Sequence, residues 1–405
     1  MTATITRLPG AKAAWIFLPA DVLRPILPVL SKITAGKESL PCLKHVHIAY
    51  TNGTSRLTVC DLDQWVEFDF PDPRPQSDGD RVRIATEWVW RKMENTIHLG
   101  ILKTCVQQAD RGTAIRINWA SDRCGEIHFV CKGVAMRKGF DGLNPTEFPM
   151  PPNPDIDGLI AEGIAPPMPW GWNHGEFDRL NRISPYLSAD TTRYILNGAY
   201  LDPEGIWIGT DGRCLATVPS VSPPSDPFIL PAKSVLFAPC FQKLAEVQAI
   251  ATASVFPGKC TTLRLDWGSI RYTTNVIEGV FPNWRQILPP GNNATYTIQF
   301  GDDPTDKIIA LRAILPNTAD PSLLIHHDGS GVVSFSSVGN PPVFLPVAIS
   351  LHASEEPFTA VFNGHWFTSA IANGYTDMTI QSEILPAYSA MPDGSRFVIM
   401  PKRLT

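Results

Sequence analysis

Three histidines offer the most obvious chemistry in this chain. His45 and His47 alternate along a predicted strand, so both side chains lie on one face of a sheet, where imidazole nitrogens could bind zinc, but no third ligand is near in sequence. His327 precedes Asp328, a pair that suggests a phosphohydrolase, yet the two residues enter a predicted hairpin turn at residues 329–331. A metal-dependent hydrolase that uses His45, His47 and His327 is therefore one hypothesis, and half-buried strand histidines are the plainer interpretation.

Acidic and glycine-rich fragments give no stronger sign of catalysis. Asp302 and Asp303 follow a glycine as in a polymerase turn, but no other paired carboxylate motif accompanies them, and acids near the start of a helix are the plainer interpretation. The sequence has neither a Gly-x-x-x-x-Gly-Lys phosphate loop nor a Gly-x-Ser-x-Gly elbow. We therefore predict that the protein is not an enzyme and has no catalytic residues, metal or cofactor.

Composition indicates a folded protein outside the membrane. Hydrophobic residues make up 44% of the 405 residues and charged residues 18%, as in globular proteins, and the length suits roughly two to four domains. No run of about 18 apolar residues is present. The first ten residues lack the basic start and apolar core of a signal peptide. We therefore expect a cytoplasmic location.

Cysteine spacing bears on metal sites and disulfides, and net charge bears on nucleic-acid binding. The eight cysteines include no Cys-x-x-Cys pair, which argues against a zinc site and a disulfide framework and favours reduced, mostly buried thiols. A formal charge of −5 argues against nucleic acid, because phosphates attract Lys and Arg. Net charge does not report distribution, however, so this argument does not exclude DNA.

The predicted elements follow one plan three times, which indicates weak internal repetition. Apolar residues at i, i+3 and i+4 predict a first helix in each passage, at residues 21–33, 175–186 and 305–315. Pro25 and Pro28 are expected to kink or shorten the first of these helices. Strands joined by turn residues follow, at residues 46–50 and 56–59, 194–200 and 205–208, and 322–326 and 331–335. Second helices are predicted at residues 86–96, 232–247 and 364–373.

Proline-rich breaks divide the chain. Residues 145–169 hold eight prolines and few periodic apolar residues, as in a linker, and residues 289–293 make a second break. We predict domains at residues 1–150, 167–291 and 292–405, with a linker at residues 151–166.

Three segments far apart in sequence carry the most specific pattern. Residues 192–198 are followed twelve residues later by residues 210–216, which contain Thr-Asp-Gly, and the two are interpreted as strands joined by a turn. The other segments are residues 281–289 and the last predicted strand, 397–404. Together and in this order, they resemble the peptide-binding face of the bacterial DNA sliding clamp, the β subunit of DNA polymerase III. Leu-Pro-Cys-Leu at residues 40–43 and the turn at residues 59–63 resemble the first domain of that family, and the resemblance covers essentially the whole chain.

The resemblance implies an α+β fold with three clamp domains, each made of two β-α-β-β-β units. It implies a head-to-tail homodimer that forms a ring with helices lining the hole, and a function as a DNA polymerase processivity factor. Double-stranded DNA would pass through the ring, and a replicative polymerase, a clamp loader and repair proteins would bind through short peptide motifs. A separate loader ATPase would supply the energy for opening.

The same resemblance implies three sets of site residues. A sliding ring needs diffuse positive charge at phosphate distance rather than base-specific contacts. The family contacts DNA at positions that match Lys37, Arg193, Tyr194 and Lys233, and Arg24 is a further predicted DNA-binding residue because it lies on the first predicted helix. The dimer contact corresponds to Ile314 and Leu315, with Ala135 and Met136 as a weaker candidate for the opposite side. The peptide groove corresponds to Leu196, Thr210, Gly212, Arg213, Cys214, Leu215, Pro282, Gln286, Ile287, Asn363, Trp366, Ile384, Pro386, Val398, Met400, Pro401, Lys402 and Leu404.

Several groove positions depart from the family pattern. The family usually has His-Arg at Arg213-Cys214, Arg at Gln286, a tyrosine or similar ring at Trp366, and an apolar or small residue at Lys402. These changes alter polar groups around a retained apolar pocket, so we expect peptide binding with a different preference, as in a divergent or second-copy clamp. A clamp-shaped module that binds peptides without encircling DNA is a further hypothesis.

Overall fold

The computed structural model describes residues 15–34, 40–51, 54–71, 93–119, 121, 123–153, 156–163, 167–224, 226–246, 250–257, 261–289, 296–351 and 357–403. Contacts divide the chain into two compact units. Unit 1 comprises residues 1–174 and 234–275, and unit 2 comprises residues 175–233 and 276–405. Both units mix helices with antiparallel sheets.

The described part of the chain forms seven α-helices. They are α1 (Ala20–Thr34), α2 (Leu99–Gln108), α3 (Ile156–Ala161), α4 (Gly175–Ile183), α5 (Pro239–Ala245), α6 (Thr305–Ile314) and α7 (Gly364–Ala372).

The strands are numbered in chain order. They are β1 (Trp15–Pro19), β2 (His45–Thr51), β3 (Thr54–Cys60), β4 (Gln64–Pro71), β5 (Met93–His98), β6 (Ala114–Trp119), β7 (Cys124–Cys131), β8 (Val134–Asp141), β9 (Trp170–Trp172), β10 (Gly198–Leu201), β11 (Ile206–Thr210), β12 (Cys214–Pro219), β13 (Phe228–Pro231), β14 (Ala251–Phe256), β15 (Thr262–Asp266), β16 (Ile270–Asn275), β17 (Tyr296–Gln299), β18 (Ser322–His327), β19 (Val333–Ser337), β20 (Val343–Phe344), β21 (Ala348–Leu351), β22 (Phe358–Asn363), β23 (Asp377–Ile380), β24 (Ala387–Ala390) and β25 (Arg396–Ile399).

Unit 1 contains two sheets. An eight-stranded sheet has the order β5-β2-β3-β4-β16-β15-β14-β9, and a four-stranded sheet has the order β1-β6-β7-β8. Helix α1 contacts α2, α5 and strand β3, and it buries Leu23, Ile26, Leu27 and Leu30. Burial of each such side chain stabilises the fold by about 1.5–3 kcal/mol.

Unit 2 contains a nine-stranded sheet of order β13-β10-β11-β12-β25-β24-β23-β17-β21 and a four-stranded sheet of order β20-β19-β18-β22. Helix α4 packs on β11 and β12, and α7 contacts α6, β22 and β25. The last strand, β25, therefore lies between β12 and β24, which brings the C-terminal segment beside the residues that follow the Thr-Asp-Gly turn.

The three predicted first helices are found close to their predicted bounds, as α1, α4 and α6. Helix α1 continues through Pro25 and Pro28, so these prolines do not shorten it. The second helix predicted at residues 364–373 is also found, as α7.

Two other helix predictions need correction. Within residues 86–96, the part from Met93 onward belongs to β5, and residues 86–92 lie outside the described part. Pairing of β5 with β2 overrides local helical preference there, and the helix of this region is α2. The helix predicted at residues 232–247 begins only at Pro239, because Ala238 is extended, as residues before proline tend to be.

The strand predicted at residues 194–200 begins later than expected. Residues Thr191–Leu196 form a 3₁₀ helix, and the strand starts at Gly198. Asp190 caps this helix, since its Oδ1 accepts a hydrogen bond from the Thr192 amide at 2.9 Å. The interpretation of this segment as one long strand is therefore wrong.

The three-domain boundaries stay a prediction. Strands β9 and β14–β16, which fall in the predicted middle domain, belong to unit 1, whereas β10–β13 belong to unit 2. The proline-rich break at residues 145–169 begins with a 3₁₀ turn at Pro145–Glu147, and the predicted linker at residues 151–166 includes α3. Phe148 beside that turn is buried in a cluster with Leu43 and Trp65.

Candidate functional site

The Thr-Asp-Gly turn between β11 and β12 is fixed by its own side chains. The Asp211 Oδ1 atom accepts hydrogen bonds from the amides of Arg213 and Cys214, both at 2.9 Å. The Gly212 amide donates to Thr210 Oγ1 at 3.0 Å. These short-range bonds explain why Thr, Asp and Gly occur together, and they set the direction in which β12 leaves the turn.

Gly212 meets a conformational and a steric requirement in this turn. Its φ is +87°, which favours glycine, and a Cβ added there would lie 2.7 Å from Arg193 Nη1. Arg193 donates from Nη1 to the Asp211 carbonyl at 3.2 Å. The capped 3₁₀ helix and the turn are therefore joined by the Arg193 side chain.

Strand β25 brings the C-terminal segment beside the start of β12, in the middle of the nine-stranded sheet. Leu215 is opposite Val398 and Cys214 is opposite Ile399 in the register of β12 and β25. The Met400 amide donates to the Arg213 carbonyl at 2.8 Å. The start of β12 and the end of β25 thus lie side by side.

The third segment supplies an apolar support. Phe281 and Trp284 are buried in a cluster with Leu215 and Val398, which also contains Ile208 and Ile229. The Phe281 ring stacks on Tyr200 with centroids 4.6 Å apart. Ile195 and Leu196 pack against the same cluster.

A pocket of about 160 Å³ lies where these segments meet. Its lining residues are Thr210, Gly212, Arg213, Cys214, Leu215, Ile287, Val398 and Met400. Leu215 and Val398 are almost fully buried and form the floor, whereas Ile287 and Met400 are 41% and 42% exposed and form the sides. Sites for drug-sized ligands usually exceed about 300 Å³, so this pocket is suited to one or two apolar side chains.

All eight lining residues belong to the predicted groove. Of the other predicted groove residues, Leu196 supports the apolar cluster, Pro282 and Gln286 are exposed beside it, and Ile384 is 80% exposed. Pro386 immediately precedes β24, whose first residue pairs with Ile399. Leu404 lies outside the described residues. The peptide-binding role of the whole set stays a prediction.

A charged cluster borders the pocket on the side of Met400. Asp320 Oδ1 lies 3.0 Å from Lys402 Nζ and accepts a hydrogen bond from Asn363 Nδ2 at 2.6 Å. Arg213 Nη1 lies 3.6 Å from Asp320 Oδ2. Partial burial acts to raise the pKa of Asp320, but the hydrogen bonds from Lys402 and Asn363 and the nearby positive charges outweigh it and lower that pKa. Asp320 was not predicted from sequence, because its loop precedes β18 and no local motif links it to the C-terminus.

The Cys214 thiol is a neutral part of the lining at physiological pH. Burial, with the Asp211 carboxylate nearby, raises the pKa of this thiol well above its ordinary value. Its Sγ donates to Asp211 Oδ1 at 3.2 Å. The side chain therefore contributes a small, uncharged surface where the family usually has arginine.

The predicted DNA-binding residues are found in both units. Arg24 on α1 is hydrogen-bonded to Asp21 and to the Ala109 carbonyl. Tyr194 is 56% exposed. Lys233 is exposed in the turn after β13, not on a helix as the sequence suggested. Lys37 lies outside the described residues, and contact of these residues with DNA stays a prediction.

The predicted dimer residues lie at the end of α6. Ile314 is the last residue of the helix and Leu315 follows it, and both are half-buried. Leu315 packs so closely on Gly364 that an added Cβ would lie 2.4 Å from Leu315 Cδ2. On the opposite candidate side, Ala135 and Met136 are exposed on β8, an edge strand. Their role in a dimer stays a prediction.

The histidines of the hydrolase hypothesis are packed side chains. His45 Nδ1 lies 2.8 Å from the Pro41 carbonyl, and burial lowers the pKa of His45. His47 stacks on Phe148 with centroids 5.2 Å apart. His327 is buried against Tyr296, and its Nδ1 accepts from the Gly329 amide.

Within the described ranges, no group of three or more His, Cys, Asp or Glu residues could hold a metal ion. The geometry therefore gives the hydrolase hypothesis no support.

None of the described helices is long and apolar enough to cross a membrane.

Comparison with known proteins identifies the fold. A clamp structure from Pseudomonas aeruginosa bound to griselimycin aligns with a TM-score of 0.75 and 17% identity over 97% of this chain and all of that one. The sliding clamp from Caulobacter crescentus aligns with a TM-score of 0.73 and 17% identity over 96% of this chain and all of that chain. The chain therefore has the fold of the bacterial DNA sliding clamps, and the fold prediction is confirmed.

The sequence relationship is more distant. The chain is 24% identical over 307 residues to the beta sliding clamp of Salmonella typhimurium, which covers 73% of each protein. No family model matches the chain. The resemblance proposed from the motifs is confirmed, at the low identity of a divergent relative.

Proposed function

We propose that this chain is a DNA polymerase processivity factor. It would encircle duplex DNA as a sliding clamp and tether a replicative polymerase, a clamp loader and repair proteins through a peptide-binding groove. The observation that carries the proposal is the pocket beside strands β12 and β25 of the nine-stranded sheet. Leu215 and Met400 lie more than 180 residues apart in the chain, yet both line the same apolar pocket in a protein with the clamp fold.

The pocket explains how partners would be held. A partner segment would place an aliphatic or aromatic side chain on Leu215 and Val398, between Ile287 and Met400. Because an apolar side chain gains most when it leaves water completely, the buried floor would supply most of the binding energy. The polar backbone of the segment would stay at the rim, near Arg213.

The function itself requires no reacting group. Arg24, Lys37, Arg193, Tyr194 and Lys233 would face the DNA, and their charges would act on phosphates without reading bases. A head-to-tail homodimer would close the ring, with Ile314 and Leu315 on one side and the edge strand β8 on the other. Such a contact covers an exposed strand edge and closes after two copies.

Loading on circular DNA tests this proposal. With a cognate loader and ATP, the protein should remain on nicked circular DNA and be lost once the circle is cut. Sedimentation at micromolar concentration should give twice the chain mass of 44.5 kDa. Equal retention on circular and linear DNA would contradict topological binding. A monomer that binds partner peptides but is never retained on circles would instead be a peptide-sequestering module.

A further inference from the structure

The C-terminal tail, residues 400–403, forms one side of the pocket without belonging to a strand. Strand β25 ends at Ile399, and Met400 then lines the pocket. Two backbone hydrogen bonds hold the tail: the Met400 amide donates to the Arg213 carbonyl at 2.8 Å, and the Lys402 amide donates to the Val361 carbonyl at 2.7 Å. Such a short terminal segment usually frays unless side chains also hold it.

Lys402 provides that additional attachment. Its Nζ donates to the Asp320 backbone carbonyl at 2.9 Å and lies 3.0 Å from Asp320 Oδ1. The Lys402 side chain is 25% exposed, so its ammonium group is partly withdrawn from water. The contact joins residues 82 positions apart in the chain.

Asp320 is also held in place by contacts that do not involve the tail. The Gly364 amide donates to the Pro321 carbonyl at 2.8 Å, and His365 Nε2 lies 3.0 Å from the Thr318 carbonyl. Asn363 Nδ2 donates to Asp320 Oδ1. The loop around Asp320 is therefore fixed to the start of α7 on both sides of the carboxylate.

Arg213 is a weaker partner of the same carboxylate. Its Nη1 lies 3.6 Å from Asp320 Oδ2, beyond hydrogen-bonding distance, and its side chain is 65% exposed. Exposed ion pairs of this kind contribute little. Lys402 is therefore the main cation that Asp320 holds.

We propose that Asp320 is a positioning residue that latches the C-terminal tail through Lys402, so that the Met400 side of the pocket is formed before a partner binds. This inference rests on the proposed function of the pocket. A segment that is already ordered loses less conformational freedom on binding, so the latch would raise affinity without touching the ligand. Neither Asp320 nor Lys402 is among the residues that line the pocket, so Lys402, which the sequence places in the predicted groove, would act through the tail and not on the peptide itself.

Calorimetry of a double-mutant cycle tests the latch. The probe is a synthetic decapeptide that ends in Gln-Leu-Ser-Leu-Phe, titrated into the wild-type protein, Asp320→Ala, Lys402→Met and the double variant. Each single variant should weaken peptide binding by about three- to tenfold, and the double variant should be no weaker than either. Asp302→Ala is the matched control, since Asp302 is an exposed acid of the same unit that neither lines the pocket nor pairs with Lys402, and it should bind like the wild type.

Amide hydrogen exchange supplies a second readout that does not depend on the peptide. In Asp320→Ala, the Lys402 amide should exchange faster, whereas the amides of β25 that pair with β12 should not change. Unchanged Lys402 exchange, or additive losses of affinity in the double variant, would overturn the latch.

These experiments distinguish failure of the proposed peptide-binding function from failure of the latch. If the wild-type protein does not bind the peptide, the proposed peptide-binding function is contradicted, and the exchange experiment still decides on the latch. If the wild type binds and Asp320→Ala binds equally well, only the latch is wrong.

Discussion

Two clefts among the described residues differ in size and in the chemistry of their floors. The larger, about 560 Å³, lies in unit 1 beside β14 and β15, and the smaller, about 160 Å³, is the pocket in unit 2. The larger cleft is lined by Ile250, Thr252, Ser254, Phe256, Arg264, Asp266, Trp267 and Gly268, from a single stretch of the chain. The smaller pocket joins three distant segments.

The floors of the two clefts explain which one suits a partner. In the larger cleft, Thr252, Ser254, Arg264 and Asp266 are at least partly exposed, and Arg264 and Asp266 pair at 3.8 Å. A ligand there would have to displace water from these polar groups. In the pocket, Leu215 and Val398 are buried in the apolar cluster. We therefore expect a partner peptide to bind in the smaller pocket, which has a preformed apolar floor, and not in the larger cleft.

Of all the changes, removal of the tail should weaken peptide binding at the pocket most. Deletion of residues 400–405 removes the Met400 side of the pocket, and we expect peptide affinity to fall at least about a hundredfold, below detection by calorimetry. The dimer should persist in sedimentation, because its proposed contacts lie elsewhere. Trp267→Ala in the larger cleft is the matched control and should leave peptide affinity unchanged. A loss of affinity in this variant would indicate that the peptide binds in the larger cleft.

The pocket floor should also matter for folding. Leu215→Ala should lower the free energy of unfolding by about 2–5 kcal/mol, because it leaves a cavity in the apolar cluster. Chemical denaturation of the full-length protein, followed through its tryptophan fluorescence, measures this change. Val280→Ala is the control: Val280 is 89% exposed and should change stability by less than about 0.5 kcal/mol. Equal effects would show that Leu215 is not a core residue.

Charge reversal should separate the DNA surface from the pocket. Lys37→Glu with Lys233→Glu should reduce loading on circular DNA by roughly tenfold, with a weaker salt dependence, and leave peptide affinity unchanged. Arg193→Glu should weaken both, because Arg193 also binds the carbonyl of Asp211 in the pocket turn. Filter retention and calorimetry on the same variants check this. Loading that is indifferent to all three charges would contradict the proposed DNA surface.

The smallest effect concerns peptide preference. Arg213→His with Cys214→Arg restores the residues usual in the family, and we expect a change of a few fold in the relative affinities of two peptides rather than new binding. Competition between the Gln-Leu-Ser-Leu-Phe peptide and a variant with Asp in place of Ser measures it. No change in their ratio would mean that these side chains do not set preference.

Sequence alone predicted the parts of the pocket that depend on local chemistry. The Thr210–Cys214 turn follows from Thr, Asp and Gly at fixed spacing, and the strand that contains Val398 follows from its apolar residues. The resemblance of the motifs to the clamp family implied the fold, and the comparisons confirm it. The binding roles of these residues stay predictions.

Other features could not be predicted because they depend on tertiary contacts. The 3₁₀ helix that contains Arg193 is stabilised by the Asp190 cap, in competition with a good strand pattern. Strand β5 forms because β2 offers it a partner. The contact between Asp320 and Lys402 joins distant residues with no shared motif, so only the fold reveals it.

Photo-crosslinking tests the central claim most directly. The Gln-Leu-Ser-Leu-Phe peptide, with a photoreactive benzophenone in place of its final ring, would be irradiated with the full-length protein, and the adducts would be mapped by mass spectrometry. We expect adducts at Ile287 and Met400, and their loss when excess unlabelled peptide is present. Competed adducts at Phe256, Trp267 or Ile250 would place the partner in the larger cleft and contradict the account.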